Sequence, residues 1–514
     1  MVKLFDLLQA VDVVESWNKK NIDISGIAYH SKKVAPGDIF VCIKGYKTDG
    51  HRYVMGAIAN GASAIIVEDY QEGWDIPQIR VEDSRKALAA LSDEFYNNPS
   101  KDMKIIGITA TNGKTTTSFM TNAILEGHGL KTGLIGTVKV KIGDSYEPSK
   151  LTTPESLDLH HYFAKMRDQG ITHVTMEASS SALYLKRVGN VDFDIVTLNN
   201  ISREHIDLHG SFEEYFESKS SLIKNAGPDK WAILNLDCPY SSSLIDSTQA
   251  QVLTFGVERR DGHLACKNLD LSTGRAKFTV EIGRSFKVGN IRYEPRSFDI
   301  ELSVPGYHSV YNSMVAISIG LLCGIPISTI QESIKSFNGV ERRFEFIFEE
   351  DFKIIDDHFA NSGNIDVTLG TLDFMDYNNL NLVYAIRGGR GPTVNRENAE
   401  TIVKWASKLG ISEIVATLSK SHVTDKDIVT EEELEVFLEV ISDAGIKVQL
   451  YEELPQAISH ALKNVGDNDV VLLSGCQGMD YGAQIALEQL HKLRPEIDKK
   501  RLFAPLENRV AGII

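Results

Sequence analysis

The sequence predicts an α/β protein built from three domains, at residues 1–100, 101–340 and 341–514. Its 514 residues correspond to about three domains at roughly 150 residues each. Short apolar runs with strand character alternate with helical stretches along the chain, which favours mainly parallel sheets with both faces covered. The polar run 96–100, Tyr-Asn-Asn-Pro-Ser, is typical of a linker and closes the first block.

Composition and charge exclude several classes of function. A net charge of −16 argues against a broad nucleic-acid surface. The five cysteines form no CxxC pair, which argues against a zinc site or a disulfide framework and suits the cytoplasm. Residues 1–17 predict a helix without a signal-peptide cleavage site, and the apolar segment 314–327 predicts a buried helix too short to span a bilayer. We expect a cytoplasmic monomer without membrane insertion.

The first block predicts a small α/β domain. Residues 39–43 and 64–67 have strand character, whereas 54–60 and 85–95 have helical character.

The second block begins with the strongest local motif of the sequence. The apolar run 103–109 leads into Ala110-Thr-Asn-Gly-Lys-Thr-Thr-Thr117 and then a helix, a geometry whose free amides and helix dipole bind phosphate. Lys114 can reach the β- and γ-phosphates, and the Thr115 hydroxyl can ligate Mg²⁺. The spacing departs from strict GxxxxGK[ST], because Ile108 stands where the first glycine belongs. A solvated loop with a helix cap is the alternative.

A lysine stands on the apolar face of a predicted helix after Gly210. Ser211 and Glu214 form a capping-box start, and Lys219 shares the face of the aromatic and aliphatic residues. A buried ammonium is costly, so such a lysine is neutralised, paired or chemically used, for example as a carbamate formed with CO₂. The alternative is that its head group reaches water.

Polar residues follow two predicted strands of the second block. Glu177 ends the strand-like run 174–176, and Asn200 follows 195–198. Ligands of open α/β sheets bind at this edge, so Glu177 and the nearby His205 are candidate Mg²⁺ ligands. The alternative for His205 is a structural histidine.

The third block predicts a smaller Rossmann-like sheet. Strand-like runs lie at 352–355, 381–385, 413–416, 447–450 and 470–473. Arg387 and Arg390, in a glycine-rich loop, are candidates to hold the carboxylate of an amino acid. A plain basic, flexible loop is the alternative.

These segments in this order resemble the Mur ligase family over roughly residues 20–345. The resemblance implies a central P-loop-type ATPase domain, with Mg²⁺ bound by Thr115, Glu177, His205 and a carbamylated Lys219. Lys114, Lys219 and His205 are the expected catalytic residues. The ATP contacts it implies are Ala110, Thr111, Asn112, Gly113, Lys114, Thr115, Thr116, Asn312 and Arg343.

Further matches resemble the type E members of the family. Residues 34–40, 49–51 and 61–62 are similar to the type E uridine-binding domain. Thr152-Thr-Pro-Glu155 looks like the loop that grips the muramoyl-peptide substrate. The contacts to a UDP-linked peptide that the resemblance implies are Ser31, Thr152, Thr153, Ser179 and Arg187.

The C-terminal block departs from the family pattern. Ser419-Lys-Ser-His422 stands where bacterial members carry the Asp-Asn-Pro-Arg signature, and Gly475-Cys-Gln-Gly-Met-Asp480 replaces Gly-Lys-Gly-His-Glu. These departures point away from meso-diaminopimelate as the acceptor. They suit a divergent homologue such as the type E pseudomurein peptide ligases of methanogenic archaea.

The predicted activity is ATP-dependent amide-bond formation in cell-wall biosynthesis. The γ-phosphoryl group of ATP passes to the terminal carboxylate of a UDP-linked peptide, and the amine of a free amino acid displaces phosphate. The alternatives are a pseudomurein ligase, a P-loop ATPase switch without ligase activity and a non-catalytic UDP-sugar-binding protein.

Overall fold

The computed structural model describes residues 2–45, 48–202, 209–272, 274–463, 465–507 and 509. The chain divides into two compact units, one of residues 1–114 and 128–254 and the other of residues 115–127 and 255–514. Within the described ranges, no helix is long and apolar enough to cross a membrane. The three predicted domain boundaries stay a prediction.

The first unit begins with a five-stranded sheet. Its strand order is Val13–Trp17, Gln78–Val81, Ala64–Val67, Asp38–Val41 and Gly26–Ala28. The last four strands are parallel and the first is antiparallel. The side chains of alternate residues pack into separate hydrophobic cores on the two faces of the sheet. Ile39 and Val41 belong to one core, and Phe40 and Cys42 belong to the other. Helices Val54–Ala59 and Ser84–Phe95 belong to this part.

The predicted N-terminal helix is wrong beyond its first turns. The chain forms a short helix at Leu4–Leu7, a 3-10 turn at Leu8–Ala10 and then the strand Val13–Trp17. The valines of that strand are β-branched and suit a pleated edge better than a helix.

The second sheet of this unit carries the predicted nucleotide motif. The strands of this sheet that begin in the first unit are, in spatial order, Ser145–Pro148, Lys139–Ile142, Thr132–Ile135, His173–Glu177, Lys104–Thr109, Phe193–Leu198, Trp231–Asn235 and Gln251–Gly256. The five strands from Thr132–Ile135 to Trp231–Asn235 are parallel, as predicted. Helices Ser156–Asp168, Ser180–Tyr184, Phe212–Lys224 and Pro239–Ser242 follow its strands.

The central strand of this sheet decides where the site lies. Lys104–Thr109 lies between His173–Glu177 and Phe193–Leu198, with Glu177 in register with Ile108 and Leu198 with Thr109. The carboxyl ends of all three strands therefore meet at one edge, which is where ligands bind in such sheets.

The second unit contains a six-stranded sheet. Its order is Glu345–Glu349, Lys353–Asp357, Val470–Gly475, Leu380–Ala385, Glu413–Thr417 and Lys447–Tyr451. All its pairings are parallel except the first, which confirms the predicted Rossmann-like sheet. Its helices are Ser362–Leu372, Pro392–Leu409, Glu431–Asp443, Leu454–Lys463, Gly482–Leu493 and Lys499–Phe503.

The same unit holds an antiparallel layer and the predicted buried helix. Strands Leu264–Asp270, Arg275–Ile282 and Arg296–Pro305 pair antiparallel. Helix Tyr307–Leu322 follows and is buried from Asn312 to Leu322, and helix Ile327–Lys335 comes next. The predicted buried helix at 314–327 is therefore confirmed as far as Leu322 and wrong beyond it, because Gly324 and Pro326 separate the two helices.

Candidate functional site

The phosphate-binding motif forms a loop that hydrogen bonds from Asn200 hold in place. Strand Lys104–Thr109 ends, Gly113 takes a φ of +89° that glycine adopts without strain, and a helix begins at Lys114. The Asn200 side chain accepts the Asn112 amide at 3.0 Å and donates to the Asn112 carbonyl at 2.9 Å. The Asn200 carbonyl accepts the Thr111 amide at 2.9 Å. Asn200 therefore fixes the conformation of the loop.

Lys114 lies folded over its own loop. Its ammonium donates to the carbonyl oxygens of Ala110 at 2.9 Å and Thr111 at 3.0 Å. A flexible lysine with a positive charge at this point can exchange those carbonyls for phosphate oxygens.

Lys219 is buried, with an exposure of 1%, so the alternative that its head group reaches water is wrong. Its helix, Phe212–Lys224, is capped by Ser211, whose side chain accepts the Glu214 amide. The ammonium donates to the Ala110 carbonyl at 2.7 Å and lies 3.4 Å from Thr109 Oγ1. Lys219 thus lies directly against the phosphate-binding loop.

Tyr215 is a site residue that the sequence analysis counted only as part of an apolar face. It is fully buried, its hydroxyl lies 2.8 Å from Thr111 Oγ1, and the Lys219 ammonium lies 5.0 Å from its ring centroid. The signal was present in the sequence, because residues four apart on a helix are neighbours.

Glu177 is fully buried at the end of its strand. Its carboxylate accepts the Thr137 amide at 2.8 Å and the Thr137 hydroxyl at 3.0 Å. Thr137 was not singled out from the sequence, because nothing in a lone threonine after a strand distinguishes it.

The structure brings three of the predicted substrate residues to Glu177. Thr152 Oγ1 lies 3.1 Å from Thr137 Oγ1, and Thr153 Oγ1 donates to the Glu177 carbonyl at 2.7 Å. The Ser179 amide donates to Thr153 Oγ1 at 3.1 Å.

Arg187 is held by a carboxylate that the sequence analysis did not weigh. Its Nε lies 2.9 Å from Glu155 Oε1, and Arg85 Nη1 donates to Glu155 Oε2 at 3.3 Å. Arg187 Nη1 also reaches the Thr153 carbonyl at 3.4 Å. Two guanidinium groups share one carboxylate here.

Ser31 begins a short 3-10 turn, Ser31–Lys33. Its carbonyl accepts from Asn60 Nδ2 at 2.9 Å. Among the residues that the structure describes, no hydrogen bond joins Ser31 to the other predicted substrate residues, so its role stays a prediction.

The remaining predicted nucleotide contacts belong to the second unit. Asn312 Oδ1 accepts from the Thr117 hydroxyl at 3.2 Å, and the buried Asn312 Nδ2 has no partner within the described ranges. Arg343 Nη1 donates to the Arg342 carbonyl at 2.9 Å. Thr115 and Thr116 lie in the first turn of helix Lys114–Gly127.

The two predicted amino-acid-binding arginines differ in their surroundings. Arg387 is partly buried, and no hydrogen bond or ion pair to its guanidinium is found in the described part of the chain. Arg390 is exposed and donates to the neighbouring Gly389 carbonyl at 3.3 Å. Glu433 holds the loop by accepting the Arg390 amide at 2.8 Å and the Gly391 amide at 2.6 Å.

Arg387 contributes to a positively charged environment around His358. Burial first, and then the nearby charges of Arg343, Arg342 and Arg387, hold the pKa of His358 well below its usual value. Burial also raises the pKa of the Cys476 thiol, against the opposing charge of Arg387. His358 and Cys476 therefore stay neutral, and the positive charge in this region comes from its arginines, Arg387 among them.

A buried charge network in this unit escaped the sequence analysis. Arg342 is 4% exposed and binds Asp356 at 3.4 Å, Asp480, and the Cys476 carbonyl at 3.1 Å. Arg509 donates to Asp356 at 2.6 Å. Arg509 and Asp356 are 153 positions apart, so no local pattern indicates their contact.

Residues 419–422, which stand where the resemblance leads us to expect an Asp-Asn-Pro-Arg signature, bind two glutamates of the same unit. Lys420 pairs with Glu452 at 2.8 Å, and the Ser421 hydroxyl donates to Glu453 at 2.8 Å.

His205 lies outside the described residues. Among the residues that are described, no group of three or more His, Cys, Asp and Glu side chains could hold a metal ion.

Comparison with known proteins matches family models along most of the chain. The Mur ligase family catalytic domain matches residues 23–96, the Mur ligase middle domain 108–320, and the Mur ligase glutamate ligase domain 342–477.

Curated relatives agree with those matches. The chain is 36% identical to a UDP-N-acetylmuramoyl-L-alanyl-D-glutamate–2,6-diaminopimelate ligase of Caldanaerobacter subterraneus, over 92% of this chain and 94% of the relative. It is 35% identical to the protein of that name from Clostridium botulinum, over 90% and 92%.

Solved structures share the fold. MurF from Acinetobacter baumannii gives a TM-score of 0.66 at 19% identity, covering 95% of this chain and 98% of that one. A pseudomurein peptide ligase type C from Methanothermus fervidus gives 0.55 at 17% identity, covering 90% and 96%.

Proposed function

The chain belongs to the Mur ligase family and is an ATP-dependent ligase, and from that premise we propose that it extends a UDP-linked muramoyl peptide by one amino acid. The curated relatives at 35–36% identity are named for this activity. The archaeal pseudomurein alternative is not needed to account for the sequence.

One observation carries the proposal: the buried Lys219 lies against the phosphate-binding loop, 2.7 Å from the Ala110 carbonyl. A nucleotide switch needs the loop alone. A ligase must also bring a peptide carboxylate to the γ-phosphate, and the loop's edge here holds Thr152, Thr153 and Ser179 beside Glu177.

The proposed chemistry has two steps. A carboxylate oxygen of the peptide attacks the γ-phosphorus of ATP, the bond to the β-phosphate breaks, and ADP leaves. The amine of the amino acid then attacks the acyl carbon, phosphate leaves, and a proton is lost from nitrogen. Lys114 offsets the charge as the two anions approach, an electrostatic contribution that dominates phosphoryl transfer.

The donor groups fit Mg²⁺, which supplies charge neutralisation between the phosphates when bound. Mg²⁺ usually takes one or two protein carboxylates and completes its shell with water and phosphate oxygens. The buried Glu177 offers one carboxylate, and we propose that Thr115, His205 and a carbamate on Lys219 complete the protein's share.

The carbamate proposal follows from the position of Lys219. Burial disfavours the ammonium form, and the ammonium of Lys114 shares its acceptor. A neutral amine adds to CO₂, forming an N–C bond and releasing one proton. The product carries an oxygen anion suited to Mg²⁺.

We propose that Arg387 holds the carboxylate of the incoming amino acid and that Arg390 makes a weaker, exposed contact. Diaminopimelate, in the relatives' names, is the first acceptor to test. The contacts of Lys420 and Ser421 with Glu452 and Glu453 leave the substituted signature less free to bind a second carboxylate. The acceptor therefore has to be identified by assay.

The test is phosphate release from ATP with Mg²⁺, the UDP-linked dipeptide and each amino acid in turn. We expect release only when both the peptide and one amino acid are present, and loss of on the order of 100-fold in Lys114→Met. Equal release without an amine would favour the ATPase-switch alternative. UDP-peptide binding without any ATP turnover would favour the non-catalytic alternative.

A further inference from the structure

Glu155 lies between two arginines that come from distant parts of the first unit. Its Oε2 accepts a hydrogen bond from Arg85 Nη1 at 3.3 Å, and its Oε1 lies 2.9 Å from Arg187 Nε. Glu155 is also the N-cap residue of helix Ser156–Asp168, yet among the described residues its side chain accepts none of the amides of that helix. A short acidic or hydroxyl side chain at this position commonly accepts such amides. The carboxylate of Glu155 is instead directed at the two guanidinium groups.

Arg85 is held in place by the packing of its own helix, Ser84–Phe95. Ala89 lies one turn further along the helix and shares a face with Arg85. A Cβ at position 189 would lie only 2.8 Å from Ala89 Cβ, so this close approach requires Gly189. The helix face that carries Arg85 is therefore fixed against the chain segment that follows Arg187.

Arg187 is fixed by its neighbour in the chain. Lys186 adopts a φ of +56°, a left-handed conformation that residues with a Cβ rarely take, and its side chain pairs with Asp83, the N-cap of the Arg85 helix. The Arg187 amide donates to the Ala182 carbonyl at 2.8 Å. The cost of the unusual backbone conformation is offset by contacts on both sides, which present residues 186 and 187 to two different carboxylates.

The guanidinium of Arg187 keeps one nitrogen for a ligand. Its Nε faces Glu155, and its Nη1 donates to the Thr153 carbonyl at 3.4 Å. In the part of the chain that the structure describes, Nη2 has no hydrogen-bond acceptor. The Thr153 hydroxyl donates to the Glu177 carbonyl at 2.7 Å, so Arg187 lies beside the strand end where the proposed function needs the peptide.

The contact of Arg85 with Glu155 decides how Glu155 can hold Arg187. A carboxylate and a guanidinium often pair through two parallel hydrogen bonds, in which both oxygens face one arginine. That arrangement would engage Nη2 of Arg187 together with Nε. Because Arg85 takes one oxygen of Glu155, Arg187 receives only the other oxygen.

We propose that Arg85 is a positioning residue that prevents a two-bond pairing of Glu155 with Arg187, so that Arg187 Nη2 stays available to a carboxylate of the UDP-linked peptide. Glu155 then orients Arg187 through Nε alone. The inference rests on the proposed ligase function, and it gives a role to Arg85 and Glu155, which none of the predicted contacts contained.

The test measures calorimetric binding of UDP and of the UDP-linked dipeptide to the full chain in the absence of ATP. Arg85→Met removes the partner of Glu155, whereas Arg85→Lys keeps a cation for it. Arg80→Met is the matched control, because Arg80 lies close in the sequence and forms an exposed pair with Glu15 at 3.9 Å.

We expect Arg85→Met to weaken dipeptide binding by roughly tenfold, because a charged hydrogen bond of Arg187 passes from the ligand to Glu155. UDP carries no carboxylate, so its affinity should not change. Arg85→Lys and Arg80→Met should bind both ligands as the wild type does. Arg85→Gln, which is polar but uncharged, serves if Arg85→Met does not fold, and the same loss is expected.

Two double variants show whether Arg85 acts through its two partners. Adding Glu155→Gln to Arg85→Met should return the dipeptide affinity to the level of Glu155→Gln alone, because a neutral amide does not hold Arg187 in an ion pair. Adding Arg85→Met to Arg187→Met should cause no further loss. Both results depart from additivity in a way that a general loss of packing does not produce.

Unchanged dipeptide affinity in Arg85→Met would overturn the proposal, as would equal losses of UDP and dipeptide affinity. Losses that multiply in either double variant would show that Arg85 acts independently, which contradicts it as well. The proposed function fails separately, if the wild type binds the dipeptide but releases no phosphate with any amino acid, because the calorimetric ranking of the variants still decides the role of Arg85.

Discussion

Lys114 and Lys219 donate hydrogen bonds to the same acceptor, the carbonyl oxygen of Ala110, at 2.9 and 2.7 Å. Two ammonium groups on one carbonyl repel each other, and Lys219 is buried, so both effects favour its neutral form. Modification of Lys219 would convert a competing cation into an anion beside Lys114. The carbonyl oxygen of Ala110 therefore links the nucleotide-binding loop to Lys219, the residue that we propose is carbamylated.

Replacing Lys219 by alanine should abolish ligase activity in a way that small molecules partly reverse. We expect a loss on the order of 100-fold, because the oxygen ligand and its orientation are lost together. Short carboxylates such as acetate should restore part of the rate by occupying the vacated space. The measurement is phosphate release with and without added carboxylate.

Lys224→Ala is the control for this prediction, because Lys224 lies on the same helix and forms a surface pair with Glu217 at 2.6 Å. It should keep wild-type activity and show no response to acetate. Full activity in Lys219→Ala would remove the carbamate from the mechanism.

Tyr215→Phe should raise the KM for ATP more than it lowers kcat. The change removes one hydroxyl, which lies 2.8 Å from Thr111 Oγ1 in the phosphate loop, and keeps the ring beside Lys219. The lost hydrogen bond should lower the free energy of unfolding by about 1 kcal/mol. Steady-state kinetics with varied ATP, together with urea unfolding, measure both effects.

Tyr240→Phe provides the comparison, because Tyr240 is an exposed tyrosine whose ring packs on Phe212 and Phe216 of the same helix. Its ATP kinetics should match the wild type. An unchanged KM for ATP in Tyr215→Phe would mean that the hydroxyl does not hold the loop.

The elements that the sequence predicted well are those with strong local signals. The strand Lys104–Thr109 is apolar between its two ends and is followed by a glycine turn, and Lys219 was placed on the apolar face of its helix. The buried part of helix Tyr307–Leu322 was recognised from its apolar composition, although neither end of the helix was.

The features that the sequence could not predict depend on distant contacts. Thr137 meets Glu177 across two strands, 40 positions apart, and Arg342 meets Asp480 across 138 positions. The strand Val13–Trp17 was mistaken for helix because its partner, Gln78–Val81, lies far along the chain and decides the conformation.

Arg387→Met should raise the KM for the amino acid far more than Arg390→Met does. A charged hydrogen bond to a carboxylate contributes about 1.5–3 kcal/mol, which corresponds to a rise of roughly tenfold to 100-fold. Arg390 is exposed and already donates to the Gly389 carbonyl, so its loss should cost severalfold at most. The KM for ATP and for the UDP-peptide should not change in either variant.

Both variants are matched in chemistry and lie in one loop held by Glu433, so each serves as the control for the other. The reverse ranking, with Arg390→Met more damaging, would place the carboxylate at the exposed end of the loop. Equal and small effects would exclude both arginines from acceptor binding.

A buried pair in the first unit should give stability an unusual dependence on pH. His160 Nδ1 lies 3.4 Å from Asp93 Oδ1, and both side chains are buried. Burial lowers the pKa of His160 to about 4 and raises the pKa of Asp93 to about 6. Near neutral pH the imidazole is uncharged, and the carboxyl group takes up its proton unusually early on acidification.

The two groups act in opposite directions as the pH falls from 7 to 5. Below about 6.5 the unfolded chain binds a proton at His160 that the folded chain refuses until about pH 4, so stability falls through that window. The folded chain protonates Asp93 near pH 6, whereas the ordinary pKa of an aspartate is 3.8, so stability rises as pH falls through that window. Each contribution is on the order of 1 kcal/mol by pH 5.

Replacing one of the two residues should therefore reveal the pH dependence of stability that the other contributes. Asp93→Asn deletes the stabilising proton uptake, so its urea midpoint should fall more steeply than that of the wild type between pH 7 and 5. His160→Gln, which keeps a donor for the Gly189 carbonyl at 3.1 Å in the wild type, should fall less steeply. His128→Gln, at an exposed histidine, should follow the wild-type curve. Parallel curves for the Asp93 and His160 variants would show that neither group titrates differently in the folded chain, because opposite deviations from the wild-type slope are the direct consequence of their opposite pKa shifts.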